Sequence, residues 1–167
     1  MSERSPAPGG LVLVESLVNT VDLESGADTL DSAEGRARFR IAEGELAQAR
    51  ELRESLRVAL LAHAGHPPHR AVTPLGELLA GAPLLLTVAE ADGAAALAPA
   101  DTGPLLSRVA AAVAESLVAG TWSRLKACEA VDCHWAYYDR SPAGRGRWCS
   151  MQVCGARAKM RRYRARG

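Results

Sequence analysis

Two short stretches near the C-terminus decide the architecture: Cys128-Glu129-Ala130-Val131-Asp132-Cys133, and Cys149-Ser150-Met151-Gln152-Val153-Cys154, fifteen residues further on. Each is a C-x4-C pair, and two close pairs flanking a loop of this size are the usual grammar of a structural zinc site. Each pair presents two thiolates from one tight turn, and two such turns complete the tetrahedron that Zn²⁺ prefers. A shell closed by four sulfurs leaves no position for a reactive water, so the expected ion is structural, one Zn²⁺ per chain. Buried free cysteines, two disulfides or an iron–sulfur cluster also fit four cysteines. A reducing compartment and the symmetric layout favour zinc. His134, beside Cys133, is expected to be a bystander.

Downstream of Cys154 the chain reads Gly155-Ala156-Arg157-Ala158-Lys159-Met160-Arg161-Arg162-Tyr163-Arg164-Ala165-Arg166, with six basic residues and no acidic one between 157 and 166. Ala, Met and Arg favour a helix. On it Arg157, Arg161 and Arg164 share one face, and Lys159, Arg162 and Arg166 another. Such a helix calls for a polyanion, and its arginines suit both phosphates and guanine edges. Arg145 and Arg147, in the loop between the cysteine pairs, are expected to assist. A solvated tail, or one docked on the acidic body of residues 1–127, is the plainer alternative. Trp135, Tyr137, Tyr138 and Trp148 could stack on bases, but the module offers little else to cover its metal, so they are expected to form its small core.

Working outward, the net charge of +1 over 167 residues averages two opposite parts. Residues 1–127 carry a net −5, and residues 128–167 a net +6 together with all four cysteines and five of the seven aromatics. The sequence therefore describes an acidic aliphatic body with a basic, aromatic, cysteine-bearing tail. No apolar run approaches the roughly 20 residues of a membrane span. Residues 1–10 lack the features of a signal peptide and read as a disordered lead-in, so the expected location is cytoplasmic.

The body, 11–124, reads as mainly helical. Leu11, Val14, Leu17, Val18 and Val21 suggest a buried helix, and residues 22–31 a loop. Ser32 is a candidate N-cap for a short helix containing Phe39 and Ile41. Over 43–64, Leu46, Ala49, Leu52, Leu56, Ala59 and Leu60 form an apolar stripe at helical steps. Glu45, Arg50, Glu51, Arg53, Glu54 and Arg57 are assigned to its wet face, and Gly65 to its end. Thr73-Pro74 suggests a cap and first-turn proline. The apolar runs 84–89 and 94–98 around Asp92-Gly93 suggest a β-hairpin. Thr102-Gly103-Pro104 opens a long apolar helix. His63, His66 and His69 straddle a helix end and a Pro-Pro loop, a poor scaffold for a second metal, and are expected in cap or surface roles. There is no Gly-rich phosphate loop, no Ser-His-Asp order and no exposed Cys-His pairing, so no enzyme is expected.

Residues 125–166 resemble the CGNR-type zinc finger of bacterial transcription regulators. The resemblance rests on both cysteine pairs, Asp139-Arg140-Ser141, Arg147-Trp148-Cys149-Ser150-Met151, Cys154-Gly155, and Arg157, Lys159, Arg162, Tyr163 and Arg164. Ala156 stands where the family signature has Asn. The first part resembles the ABATE domain of stress-induced regulators, through Asn19-Thr20-Val21-Asp22, Leu52-Arg53-Glu54 and the domain order. The resemblance implies a transcription regulator whose N-terminal domain senses a small-molecule ligand or mediates interaction. The expected chain thus has a helical domain with a small β-hairpin (11–124) and a four-cysteine zinc module ending in a basic helix (125–167). It is expected to bind double-stranded DNA through Arg145, Arg147, Arg157, Lys159, Arg161, Arg162, Arg164 and Arg166, with a homodimer as a further candidate assembly. An RNA- or protein-interaction module is the alternative, and docking of the basic tail on the acidic body a third idea.

Overall fold

The computed structural model describes residues 5–166. Residues 1–4 of the expected disordered lead-in lie outside the described part. From Ser5 on, that segment is instead tied down: Arg140 donates to the carbonyls of Ser5 and Pro6, the Ala7 amide donates to Glu15, and Ala7 is buried.

Helix α1 (Leu11–Val18) buries Leu11, Val14, Leu17 and Val18. A turn closed by a Val21–Asp28 bridge leads to α2 (Ala33–Arg38), whose N-cap is Ser32, accepting from the Gly35 amide at 3.0 Å. The expectation that Phe39 and Ile41 lie within this helix is corrected. Two residues apart, they would point to nearly opposite helix faces. The chain leaves the helix at Arg38, Arg40 adopts φ 52°, and both side chains turn into the core.

The long helix α3 (Leu46–His63) is the hub. It ends where Gly65 takes φ 78°, a left-handed turn that glycine adopts without strain. Its apolar stripe buries Ala49, Leu52, Leu56 and Leu60 as expected. The wet-face assignment fails for three residues: Arg53, Glu54 and Arg57 are buried, and Arg57 has no exposed surface. A second wall, formed by the turn before α2 and by the C-terminal module, covers that side of the helix.

Pro74 precedes the short α4 (Leu75–Leu79), while the Thr73 hydroxyl turns to Glu51 rather than capping the helix. Strands β1 (Leu84–Val88) and β2 (Ala95–Pro99) form the anticipated antiparallel hairpin, and α5 (Leu105–Val118) follows, ended by Gly120. Strands β3 (Leu125–Ala127) and β4 (Ala136–Tyr138) pair with Lys126 opposite Tyr137. Helix α6 (Ala156–Arg164) closes the chain.

The core joins α1, α3 and α5 through Leu17, Leu56, Leu60 and Val109, and it continues into Leu125, Ala127 and Ala136 of the second hairpin. The metal module was expected to have only aromatics for a core. Its β3–β4 hairpin instead shares the apolar core of the body, and the cysteine cluster with Ala130 and Trp148 packs separately.

Candidate metal centre and nucleic-acid interface

The β3–β4 hairpin places the first cysteine pair. The Cys128 amide donates to the Trp135 carbonyl at 3.0 Å, and the amides of Cys133 and His134 donate to Ala130. His134 reverses the chain with φ 44° and lends its Nδ1–H to the Cys128 carbonyl at 2.9 Å. It is a brace for the turn and lies outside the sulfur cluster. Of the second pair, Cys154 rides on a single π turn, Met151–Gly155, and Cys149 lies just before it; Ser150 opens the turn, its Oγ accepting from the Val153 amide. The Glu129 amide donates to the Arg147 carbonyl at 2.9 Å and links the two pairs.

The four Sγ atoms of Cys128, Cys133, Cys149 and Cys154 all lie within 4.8 Å of one another. Cys149 lies 3.6 Å from both Cys133 and Cys154. A disulfide needs about 2.05 Å, whereas Zn–S bonds of about 2.3 Å put sulfurs about 3.8 Å apart in a tetrahedron. Cys128 and Cys154 are buried, the other two half-buried. The donor set therefore fits one zinc. Hydrogen bonds from Cys133 and Cys149 hold the Cys128 thiol down at about 2, while the bond to Cys128 pushes Cys133 up to about 12 and Cys149 higher still. Among these sulfurs alone one thiolate is favoured at its neighbours' expense; a dication at the centre is what lets all four ionise.

Between the pairs, Asp139 organises the loop. Its carboxylate accepts from Lys126 Nζ at 2.9 Å, the Ser141 amide at 3.0 Å and the Gly146 amide at 2.7 Å. Burial alone would raise its pKa, but these bonds outweigh burial and hold it well below the usual carboxylate range. Any Cβ at Gly146 would lie 2.9 Å from this carboxylate, so the contact requires glycine. Arg124 reaches across to the carbonyls of Asp139, Ser141 and Pro142.

All six basic residues after Cys154 are exposed. Arg157, Arg161 and Arg164 line one shallow groove with Gln152, Val153 and Met160, as the helical spacing implied. Ala156, where the signature Asn was expected, opens α6 at the surface and lines that same groove. Arg157 also meets Glu24 of the body at 3.1 Å, the one ion pair from α6 to the acidic body among the described residues. In the loop, Arg147 clasps Glu129 and lies 5.6 Å over the Trp148 ring, and Arg145 is exposed. Trp148 packs against the cysteine cluster, and Tyr137 is buried.

Sequence reasoning missed the seam between body and module. Asn19 grips the Ala136 backbone twice, donating at 2.9 Å and accepting at 2.7 Å. Arg57 donates to Glu54, Val18 and His134. Arg53 joins Thr20, Asp28 and Glu54. All four histidines sit here: His63 donates to the Leu125 carbonyl at 2.7 Å, His66 faces Glu129, His69 donates to Glu54 at 3.1 Å, and His134 lies beside His69. The available signal was the pairing of Asn19 and Thr20 with Arg53 and Glu54 in the resemblance.

A helical body whose core runs into a four-sulfur module with a basic helix defines a zinc-finger protein. The family described as "CGNR zinc finger" matches residues 124–167. ABATE, described as "Putative stress-induced transcription regulator", matches residues 11–120, most of the chain, and the chain belongs to that family. No curated protein matches it. Together these define a zinc-binding regulatory protein with one structural zinc, and neither family is of an enzymatic type. Among the described residues no helix is long and apolar enough to cross a membrane.

Proposed function

We propose that this protein is a DNA-binding transcription regulator of the cytoplasm. Cys128, Cys133, Cys149 and Cys154 hold the zinc. The zinc fixes the π turn from which α6 projects, and Arg157, Lys159, Arg161, Arg162, Arg164 and Arg166 meet the phosphates and base edges of a duplex, with Arg145 and Arg147 beside them. The observation that carries this reading is a basic helix with all six cations exposed, anchored by a buried metal ligand, Cys154, in the turn that leads into it. The acidic body senses a small molecule or carries self-association, and passes either signal through the seam of Asn19, Arg57 and the histidines.

Fluorescence anisotropy with a pool of random duplexes tests the proposal. Binding is expected with zinc, lost on chelation and restored on adding zinc back. Binding that ignores chelation, or a preference for single-stranded RNA over every duplex, would overturn it.

A further inference from the structure

The loop between the cysteine pairs forms a groove of about 750 Å³ lined by Tyr138, Arg140, Arg145, Arg147, Trp148 and Met151 among others. That size lies within the range of about 300–1,000 Å³ typical of small-ligand sites. The groove is built rather than incidental. Buried Asp139 and Lys126 fix the loop from below, Gly146 fits only as glycine, and Arg124 ties three loop carbonyls.

Its lining divides into two kinds. Two arginines are already committed as flat, immobilised surfaces. Arg140 lies 5.0 Å over the Tyr138 ring and donates to Ser5 and Pro6, and Arg147 lies 5.6 Å over the Trp148 ring and clasps Glu129. Arg145 differs: its backbone amide bonds Ser141, while its exposed side chain has no hydrogen-bond or ion-pair partner among the described residues. Met151, 66% exposed, adds an open apolar wall at the start of the π turn. Stacked planes, an apolar wall and one free guanidinium suit a planar aromatic group carrying a phosphate. A bare phosphate would leave the carbon walls unused, and an aliphatic peptide would leave the guanidinium planes unused.

We infer that this groove takes one unstacked nucleotide of the bound nucleic acid. The base lies against the arginine–aromatic layers and Met151, and Arg145 meets its phosphate. The inference rests on the DNA-binding reading and deepens it. The α6 helix grips paired duplex, and the loop captures a base that has left the stack. Substrates with a ready-made unpaired base avoid the energy of unstacking and therefore bind more tightly.

The test compares a fully paired duplex with the same duplex carrying one bulged nucleotide, using the zinc-loaded full chain and the variants Arg145→Ala, Met151→Ala and Arg161→Ala. Preference for the bulged duplex by about ten-fold is expected for the natural chain, the scale of one stacked base. Met151→Ala should erode that preference while leaving affinity for the paired duplex within about two-fold, whereas Arg145→Ala should erode the preference and also weaken the paired duplex by the loss of one phosphate contact. Arg161→Ala should weaken both duplexes equally. Equal binding of paired and bulged duplexes by the natural chain overturns the groove assignment and leaves the DNA-binding reading standing. A preference that survives both Arg145→Ala and Met151→Ala overturns it too. Absence of binding to either duplex overturns the DNA-binding reading, and this inference with it.

Discussion

The guanidinium of Arg57 donates to the carbonyl of His134 at 2.8 Å, joining positions 77 residues apart. It also donates to Val18 at 2.7 Å and to Glu54 at 3.1 Å, so one fully buried side chain ties α1, α3 and the metal-bearing turn. Burial pulls the Arg57 pKa down and Glu54 opposes it; for Glu54, burial is outweighed by Arg57 and Arg53, which hold it below its ordinary value. Arg57→Met should therefore strip Glu54 of one of its cationic partners and leave two buried carbonyls unpaired, and urea unfolding should show a loss of about 3–5 kcal/mol. Arg57→Lys should recover little of it, because an ammonium cannot reproduce the planar fork.

Asn19 acts as a short stand-in for a neighbouring strand, pairing both the N–H and the carbonyl of Ala136. Removing it leaves two backbone groups of β4 without their partner. Asn19→Ala should lower stability by about 1–3 kcal/mol. Asn19→Asp keeps the acceptor and loses the donor, so it should fall between the two in the same unfolding assay.

Chelation should act locally. Leu125, Ala127 and Ala136 remain in the core of the body with or without the ion, whereas the second cysteine pair has little else to hold it. Removing zinc, or Cys149→Ser, should leave most helical circular dichroism in place while amide exchange rises sharply over 149–166. Wholesale loss of the helical signal would show that the metal also holds the body together.

Acid should loosen the seam. Burial is the main force pulling the pKa of His63 and His69 below the ordinary value; the Leu125 carbonyl and Glu54 respectively oppose it, while Lys126 beside His63, and Arg57 and His134 beside His69, add to the lowering. The unfolded chain then takes up protons at higher pH than the folded one. These histidines have no effect above about pH 7, and stability falls as the pH drops below about 6.5 towards their folded values. Thermal melts from pH 8 to 5 should show this slope, and His63→Gln should flatten it. Zinc release as the thiols protonate would add to the acid loss, so the comparison with the variant is the decisive one.

The two cysteine pairs, the first hairpin and the apolar stripe of α3 were legible because each is a local pattern: fixed spacing, Asp92-Gly93, and three- and four-residue steps. The inner charges were not. Arg53, Glu54 and Arg57 have the spacing of a solvated helix face, and nothing within that helix says otherwise. Chain segments from 18–28, from 69 and from 134 turn the face inward. Phe39 and Ile41 were misplaced for a related reason, since tertiary burial ended a helix that local propensity would have extended. In the candidate site the sulfurs could be named from spacing, whereas the role of Asp139 depends on Lys126, Ser141 and Gly146 converging from both sides of the loop.

The salt dependence of duplex binding tests the central claim most directly. Six exposed cations after Cys154 with part of the loop imply that log Kd for the zinc-loaded chain rises with log salt at a slope of about 4–6. Arg161→Ala with Arg164→Ala should reduce that slope by about 2. A slope near zero, or one unmoved by the double substitution, would contradict the assignment of α6 as the nucleic-acid contact.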